Sequence, residues 1–171
     1  MKHDARDSGN DGLQYDNEFW RFSLAVYAEA GVAQECLALQ ETLGLDVNVL
    51  LFCAWCGTRA NALSRAEIDA ACGAVADWHE NVVRPLRGVR QHIKTLHRDD
   101  FEKFRTKVKG IELEAEQIEQ AILFGYVKRL QNSKTNTADA VASNVNDYFA
   151  MKFGKMSAPH LIAAAARFKQ A

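Results

Sequence analysis

Apolar residues recur along this chain at the spacing of α-helices, and no segment alternates polar and apolar residues as strands do. Capping residues, glycines and prolines separate the apolar runs. They predict helices over residues 16–28, 32–43, 46–60, 64–83, 86–97, 99–131 and 137–153, with a last helix from about 157. The pattern therefore predicts an all-α fold, a single-domain antiparallel helical bundle of about six to eight helices.

The predicted helix 46–60 is apolar almost all the way round, because Val47 and residues 49–56 leave it no polar face. Such a helix must be surrounded by others, so we expect it to be central. The long helix 99–131 has an apolar stripe that should face the core, made of Phe101, Phe104, Val108, Ile111, Ala115, Ile118 and Ile122.

Composition divides the chain into three parts. Residues 1–15 are polar and are expected to be a disordered lead-in, and residues 16–131 form the predicted helical core. Residues 132–171 read as a polar linker followed by two helices, either packed on the core or mobile.

Charge and hydropathy exclude several classes of function. The 171 residues carry a net charge of -1, which makes nucleic acid an unlikely partner and gives no attraction to anionic lipid. No apolar run reaches the roughly 20 residues of a membrane span, and the N-terminus lacks the apolar region of a secretory signal. We therefore expect a cytoplasmic protein with no membrane association.

Two groups of residues carry a family resemblance. The first group consists of Phe19-Trp20-x-Phe22-Ser23-Leu24-Ala25-x-Tyr27-Ala28-x-x-Gly31-Val32 and, after it, Gly44-x-Asp46-Val47-Asn48-x-Leu50-Leu51-Phe52-x-x-Trp55. The second group consists of Val83-Arg84-Pro85-Leu86-Arg87 and the stretch 107–119. Over roughly residues 15–125 the chain resembles the DUF2390 family of small proteobacterial proteins. This resemblance implies no activity, cofactor or partner, and Cys56 departs from the family pattern, where an apolar residue is expected.

Cys53 and Cys56 form a Cys-x-x-Cys pair. A redox pair needs a strand-to-helix junction, whereas these two thiols fall in the middle of a predicted helix. A zinc site would need Cys36 and Cys72, or a histidine, as further ligands. Packed thiols are the favoured interpretation, and we expect no metal and no cofactor.

The start of the central helix offers a candidate ligand site. Asp46 and Asn48 are hydrogen-bonding residues that could face a pocket walled by Trp20, Tyr27 and Trp55. The favoured alternative is that Asp46 caps the helix and Asn48 bonds locally in its first turn.

A basic flank on the fifth helix offers a candidate anion site. Arg84, Arg87, Arg90 and Lys94 lie on one side of this helix, and the flank 84–98 could bind phosphate or RNA. The favoured interpretation is that these basic side chains form ion pairs with glutamates of the next helix and do not bind an anion. Those glutamates are Glu112, Glu116 and Glu119. A di-metal site in a helical bundle would also need Glu-x-x-His motifs on the partner helices, and the sequence does not supply them.

No nucleophile, base and oxyanion set can be assembled from the sequence, so no catalytic residue is assigned. His79 lies on an apolar stripe and is interpreted as a hydrogen-bonded core histidine, with a general base as the alternative. The favoured function is a module that binds an unidentified partner protein or forms a homodimer, without catalysis. The alternative is a small-ligand-binding protein or enzyme.

Overall fold

The computed structural model describes residues 12–130 and 136–168, and these fold into an all-α bundle, as predicted. The α-helices are α1 (Glu18–Tyr27), α2 (Val32–Leu43), α3 (Val47–Thr58), α4 (Arg65–Trp78), α5 (Arg84–Thr95), α6 (Glu102–Tyr126), α7 (Thr137–Lys152) and α8 (Pro159–Arg167). Four parts of the prediction lie outside the described residues: the lead-in up to residue 11, residue 131 at the end of the predicted helix 99–131, residues 132–135 of the predicted linker, and residues 169–171.

Helix α3 is the central element, which confirms the prediction from its apolar surface. Every residue from Asn48 to Gly57 is buried. The ring of Trp55 stacks on Phe19 of α1 with centroids 5.2 Å apart, and it also contacts Phe124 of α6 at 5.7 Å. The core is therefore assembled around α3 from several helices at once.

Helix α7 packs closely along α3, and α8 joins the same core. Gly57 permits this approach, because a Cβ at this position would lie 2.5 Å from the Val141 Cα of α7. The fully buried Asn144 adds a polar connection, donating to the Cys53 and Asn61 carbonyls at 3.1 and 2.9 Å. The C-terminal helices are thus part of the core.

A π-helical turn over His79–Val83 joins α4 to α5. Pro85 was expected to end or kink a helix near Val83, since proline has no amide to donate. The structure instead carries the chain through this wider turn and places Pro85 in the first turn of α5. The turn begins at the buried His79, which it helps to orient.

The predicted pairing of basic and acidic flanks between α5 and α6 is confirmed for Glu112 and Glu116, but it is wrong for Glu119, which contacts His79 instead. Arg87 contacts Glu112 at 3.1 Å and Glu116 at 2.8 Å. Arg90 forms a second ion pair with Glu112. These contacts fix the register of the α5–α6 pair.

The predicted core stripe of α6 is wrong in part. Phe104 and Ile111 are 60% and 52% exposed. The buried residues of this helix are Val108, Glu112, Ala115, Glu119, Gln120, Ala121 and Leu123. Helix α6 is rotated so that three polar side chains face inward, because each of them finds hydrogen-bonding partners there.

Among the described helices, none is both long enough and apolar enough to cross a bilayer.

We predict that Gly57→Ala destabilises the protein by at least about 2 kcal/mol, because a methyl group there meets the backbone of α7, which cannot rotate away. Gly73→Ala is the matched control, since Gly73 lies in α4 with no atom near its missing Cβ. That change should stabilise by about 0.5–1 kcal/mol. Urea unfolding measures both. Equal effects of the two substitutions would contradict the close α3–α7 packing.

We also predict that Glu112→Gln lowers the unfolding free energy by about 3 kcal/mol, because Arg87 and Arg90 lose their shared, nearly buried carboxylate. Glu80→Gln is the control: its pair with Arg84 is largely solvent-exposed and is worth at most about 1 kcal/mol. Chemical denaturation of both variants at low and high salt measures the difference. A small effect at Glu112 would show that the buried pair does not hold α5 on α6.

Candidate functional site

A largely apolar cleft of about 540 Å³ opens between α1, α2, α3, α5 and α6. Its apolar lining consists of Trp20, Leu24, Tyr27, Ala28, Leu37, Val47, Leu51 and Leu113. Trp20, Leu24 and Tyr27 form the apolar face of α1 at the spacing i, i+4, i+7, yet Leu24 is 52% exposed. The cleft therefore exists because no other part of the described chain covers this face.

A chain of buried hydrogen bonds ends at the cleft. Asn48 Nδ2 donates to Glu119 Oε2 at 2.8 Å, and Gln120 Nε2 donates to Asn48 Oδ1 at 2.8 Å. A carboxylate only accepts, so it fixes the orientation of the Asn48 amide, which in turn fixes that of Gln120. The last atom is Gln120 Oε1, a buried acceptor with no hydrogen-bond partner in the described structure.

Ser23 provides a second unsatisfied group at the same cleft. Its Oγ is buried and has no hydrogen-bond partner among the described residues, and the residue is only 4% exposed. A serine inside a helix commonly bonds to a carbonyl of the preceding turn, which this one does not. Ser23 and Gln120 both line the cleft, on α1 and α6. Unsatisfied buried polar groups are costly, so two of them on residues that line one cleft call for an explanation.

Charged residues border the cleft on the side of α5 and α6. Arg87, Arg90, Glu112 and Glu116 are joined by ion pairs there. Burial raises the pKa of Glu116, although Arg87 opposes that shift. Lys109 also borders the cleft, and no carboxylate among the described residues pairs with it.

Behind the cleft, a polar cluster joins three helices. His79 Nδ1 lies 3.0 Å from Glu119 Oε1 and 3.2 Å from Asp46 Oδ2. Burial and the adjacent Glu119 raise the pKa of Asp46 well above its usual value. Burial opposes the charged form of His79, but the hydrogen bond to Glu119 and the charge of Asp46 outweigh this and raise its pKa.

The five residues of the predicted ligand site are only partly brought together. Trp20, Tyr27 and Asn48 line the apolar cleft. Asp46 caps α3, as the favoured interpretation expected: it accepts from the Asn48 and Val49 amides at 2.8 and 3.3 Å, and its other oxygen faces His79. The expected local bond of Asn48 is wrong, because its side chain bonds to Glu119 and Gln120 of α6. Trp55 is buried in the core and does not border the cleft.

The four residues of the predicted anion site separate. Arg84 and Arg87 border a polar cleft of about 400 Å³ together with His79, and Arg87 also borders the apolar cleft, as Arg90 does. Each of these arginines pairs with a carboxylate, and Lys94 borders neither cleft. Anion binding by the flank 84–98 stays a prediction.

The cysteines are packed side chains. Cys36, Cys53 and Cys56 are buried, and Cys72 is partly buried. Burial raises the pKa of Cys36 to about 12 and that of Cys72 to about 11, and it raises the pKa of Cys53 and Cys56 as well. These environments disfavour the thiolate that redox chemistry and metal binding require.

Several residues of the site were not found from the sequence. Ser23, Gln120 and the contact between Glu119 and His79 depend on how α1, α4 and α6 are rotated, which helical periodicity alone does not fix. One available signal was the i, i+7, i+8 spacing of Glu112, Glu119 and Gln120, which places polar side chains on one face of α6.

The fold and the cleft define an all-α bundle with a partly open apolar site and a buried polar cluster beside it. A family described as "Protein of unknown function (DUF2390)" matches residues 18–123, and the chain belongs to this family. The match covers α1 to α5 and most of α6, and so includes both the cleft and the cluster. No curated protein and no solved structure matches the chain.

We predict that Ser23→Ala stabilises the protein by about 1 kcal/mol, because it removes an unsatisfied buried hydroxyl and improves helix propensity. Ser143→Ala, on the exposed face of α7, is the matched control. It raises helix propensity by the same amount as Ser23→Ala, but the hydroxyl that it removes donates to Asp147 at 3.3 Å. It should be close to neutral. Urea unfolding of both variants without added ligand measures the difference. Destabilisation by Ser23→Ala would mean that this hydroxyl is satisfied.

Proposed function

We propose that the protein binds a small amphipathic molecule in the apolar cleft. The observation that carries this proposal is the presence of two buried, unpartnered polar atoms, Ser23 Oγ and Gln120 Oε1, on residues that line one apolar cleft. An apolar cavity with few, well-placed polar groups is the usual form of a small-molecule site, and about 540 Å³ falls within the usual size range.

The cleft specifies the two ends of the ligand differently. The rings of Trp20 and Tyr27 and the side chains of Leu51 and Leu113 offer surface to an apolar body. Gln120 Oε1 can only accept a hydrogen bond, so the head group must be a donor, such as a hydroxyl or an N–H. Ser23 Oγ can donate or accept, so it suits the same head group.

The internal ion pairs favour a neutral or weakly charged ligand. Arg87 and Arg90 are already paired with Glu112 and Glu116, so an anion would have to compete with carboxylates for them. The apolar walls also disfavour a compact ion, since a charge would lose its hydration there. These features support an amphipathic occupant over a phosphate-like one.

The test uses pairs of small molecules that differ only in the donor, for example indole against 1-methylindole and a medium-chain alcohol against its methyl ether. In thermal-shift and calorimetric titrations, the donor member of at least one pair should bind at least about 10-fold more tightly, because a site built for a hydrogen bond rejects an analogue that lacks it. Gln120→Leu should remove this preference.

Gln117→Leu is the matched control, since Gln117 is on the same helix, donates to the Tyr15 carbonyl at 3.2 Å and does not border the cleft. It should preserve the preference for the donor. Failure of every compound to bind would overturn the proposal, and so would equal binding of both members of each pair.

The other functional hypotheses stay predictions. Binding of a partner protein, or homodimer formation, is compatible with the exposed Val89, Leu96, Phe104 and Ile111 on and beside α5 and α6, but these residues do not indicate which protein would cover them. A cytoplasmic location likewise stays a prediction. The cleft favours ligand binding because it offers unsatisfied polar groups as well as apolar surface.

A further inference from the structure

Three side chains from separate helical segments converge on one point in the polar cluster. Asp46 precedes α3, His79 follows α4 and Glu119 belongs to α6. One ligand atom from each lies within 4.8 Å of the other two. His79 and Glu119 are buried, and the Asp46 side chain is 13% exposed.

The distances match those between the ligands of one metal ion. In a tetrahedral zinc site with bonds of about 2.0–2.1 Å, neighbouring ligand atoms are about 3.3 Å apart. His79 Nδ1 lies 3.0 Å from Glu119 Oε1 and 3.2 Å from Asp46 Oδ2. A few tenths of an ångström of outward movement would therefore admit the ion.

The charge of the cluster also suits a divalent cation. Two carboxylates this close and this buried repel each other when both are ionised. One divalent cation with a neutral imidazole would balance both negative charges. Imidazole and carboxylate together suit Zn²⁺ and neighbouring first-row metals.

The remaining carboxylate oxygens are held in place by other groups. Asp46 Oδ1 accepts from the Asn48 and Val49 amides at the start of α3, and Glu119 Oε2 accepts from the Asn48 side chain. Each carboxylate is thereby oriented with its other oxygen toward His79. Hydrogen bonds of this kind commonly position metal ligands.

Access to this point is provided by a small cavity. A cavity of about 170 Å³ is bordered by Asp46 and His79, together with Cys72 and Tyr148. It is large enough to hold water molecules as further ligands. The cavity does not include the apolar cleft residues Ser23 and Gln120.

We propose that Asp46, His79 and Glu119 form a binding site for one divalent transition-metal ion, Zn²⁺ or a close neighbour, with its open coordination positions facing this small cavity. None of the three ligands borders the apolar cleft, so metal binding at this site can be tested separately from ligand binding in the cleft.

The test is titration of the full-length, chelator-treated protein with Zn²⁺ by calorimetry and with Co²⁺ by absorption spectroscopy. We expect one equivalent to bind, with a visible Co²⁺ band typical of nitrogen and oxygen ligands and no thiolate charge-transfer band. Asp46→Asn, His79→Gln and Glu119→Gln should each weaken Zn²⁺ binding by at least about 10-fold, because each removes one ligand.

His92→Gln and Glu114→Gln are the matched controls, since both residues are exposed on α5 and α6. They should leave the affinity unchanged. Circular dichroism identifies any variant that fails to fold. The stoichiometry and the Co²⁺ spectrum are measured on the wild-type protein, so these two results do not depend on whether a variant folds. Absence of one-equivalent binding by the wild type would overturn the proposal. A thiolate band, or unchanged affinity in folded ligand variants, would do the same.

Discussion

The burial of Glu119 is the constraint on which much of this structure depends. Its side chain is fully buried, and a carboxylate in that position must be surrounded by donors. One oxygen faces His79 from the end of α4, and the other accepts from Asn48 at the start of α3. Satisfying this one group therefore fixes how α4 and α6 are rotated about α3.

The same rotation explains the distribution of apolar surface. Turning Glu112 and Glu119 inward moves Phe104 and Ile111 of α6 outward. Helix α1 has two apolar sides. Trp20, Leu24 and Tyr27 border the cleft, whereas Phe19, Phe22 and Val26 are buried in the core. The bundle thus leaves apolar side chains partly exposed next to unsatisfied polar atoms. This combination lowers the stability of the fold, and proteins commonly accept such a loss where function requires it.

Local signals were sufficient to predict most of the fold. The bounds of the helices follow from Asp46 and Ser64 as caps and from Gly44 with its positive φ at the end of α2, all of which act within one turn of the chain. The centrality of α3 followed from its lack of a polar face. The α5–α6 ion pairs were predictable because basic and acidic side chains lie on adjacent helices with complementary spacing.

The site was less predictable, since it depends on contacts between residues far apart in sequence. His79 and Glu119 are separated by 40 residues, and Asn48 and Gln120 by 72. Each sequence neighbourhood supports an ordinary interpretation: a cap at Asp46, a core histidine at His79 and, at Glu119, a glutamate that pairs with the basic flank of α5. Only the packing of the three helices turns these separate roles into one cluster.

Asn48 connects the cluster to the cleft, and this connection has a chemical direction. Its amide donates toward Glu119 and accepts from Gln120, so the acceptor character of the carboxylate is relayed to the cleft as the acceptor Gln120 Oε1. A change that reversed the Asn48 amide would place a donor at the cleft instead. The buried cluster and the Gln120 amide are therefore connected through one side chain, although the cleft and the small cavity beside the cluster do not share a lining residue.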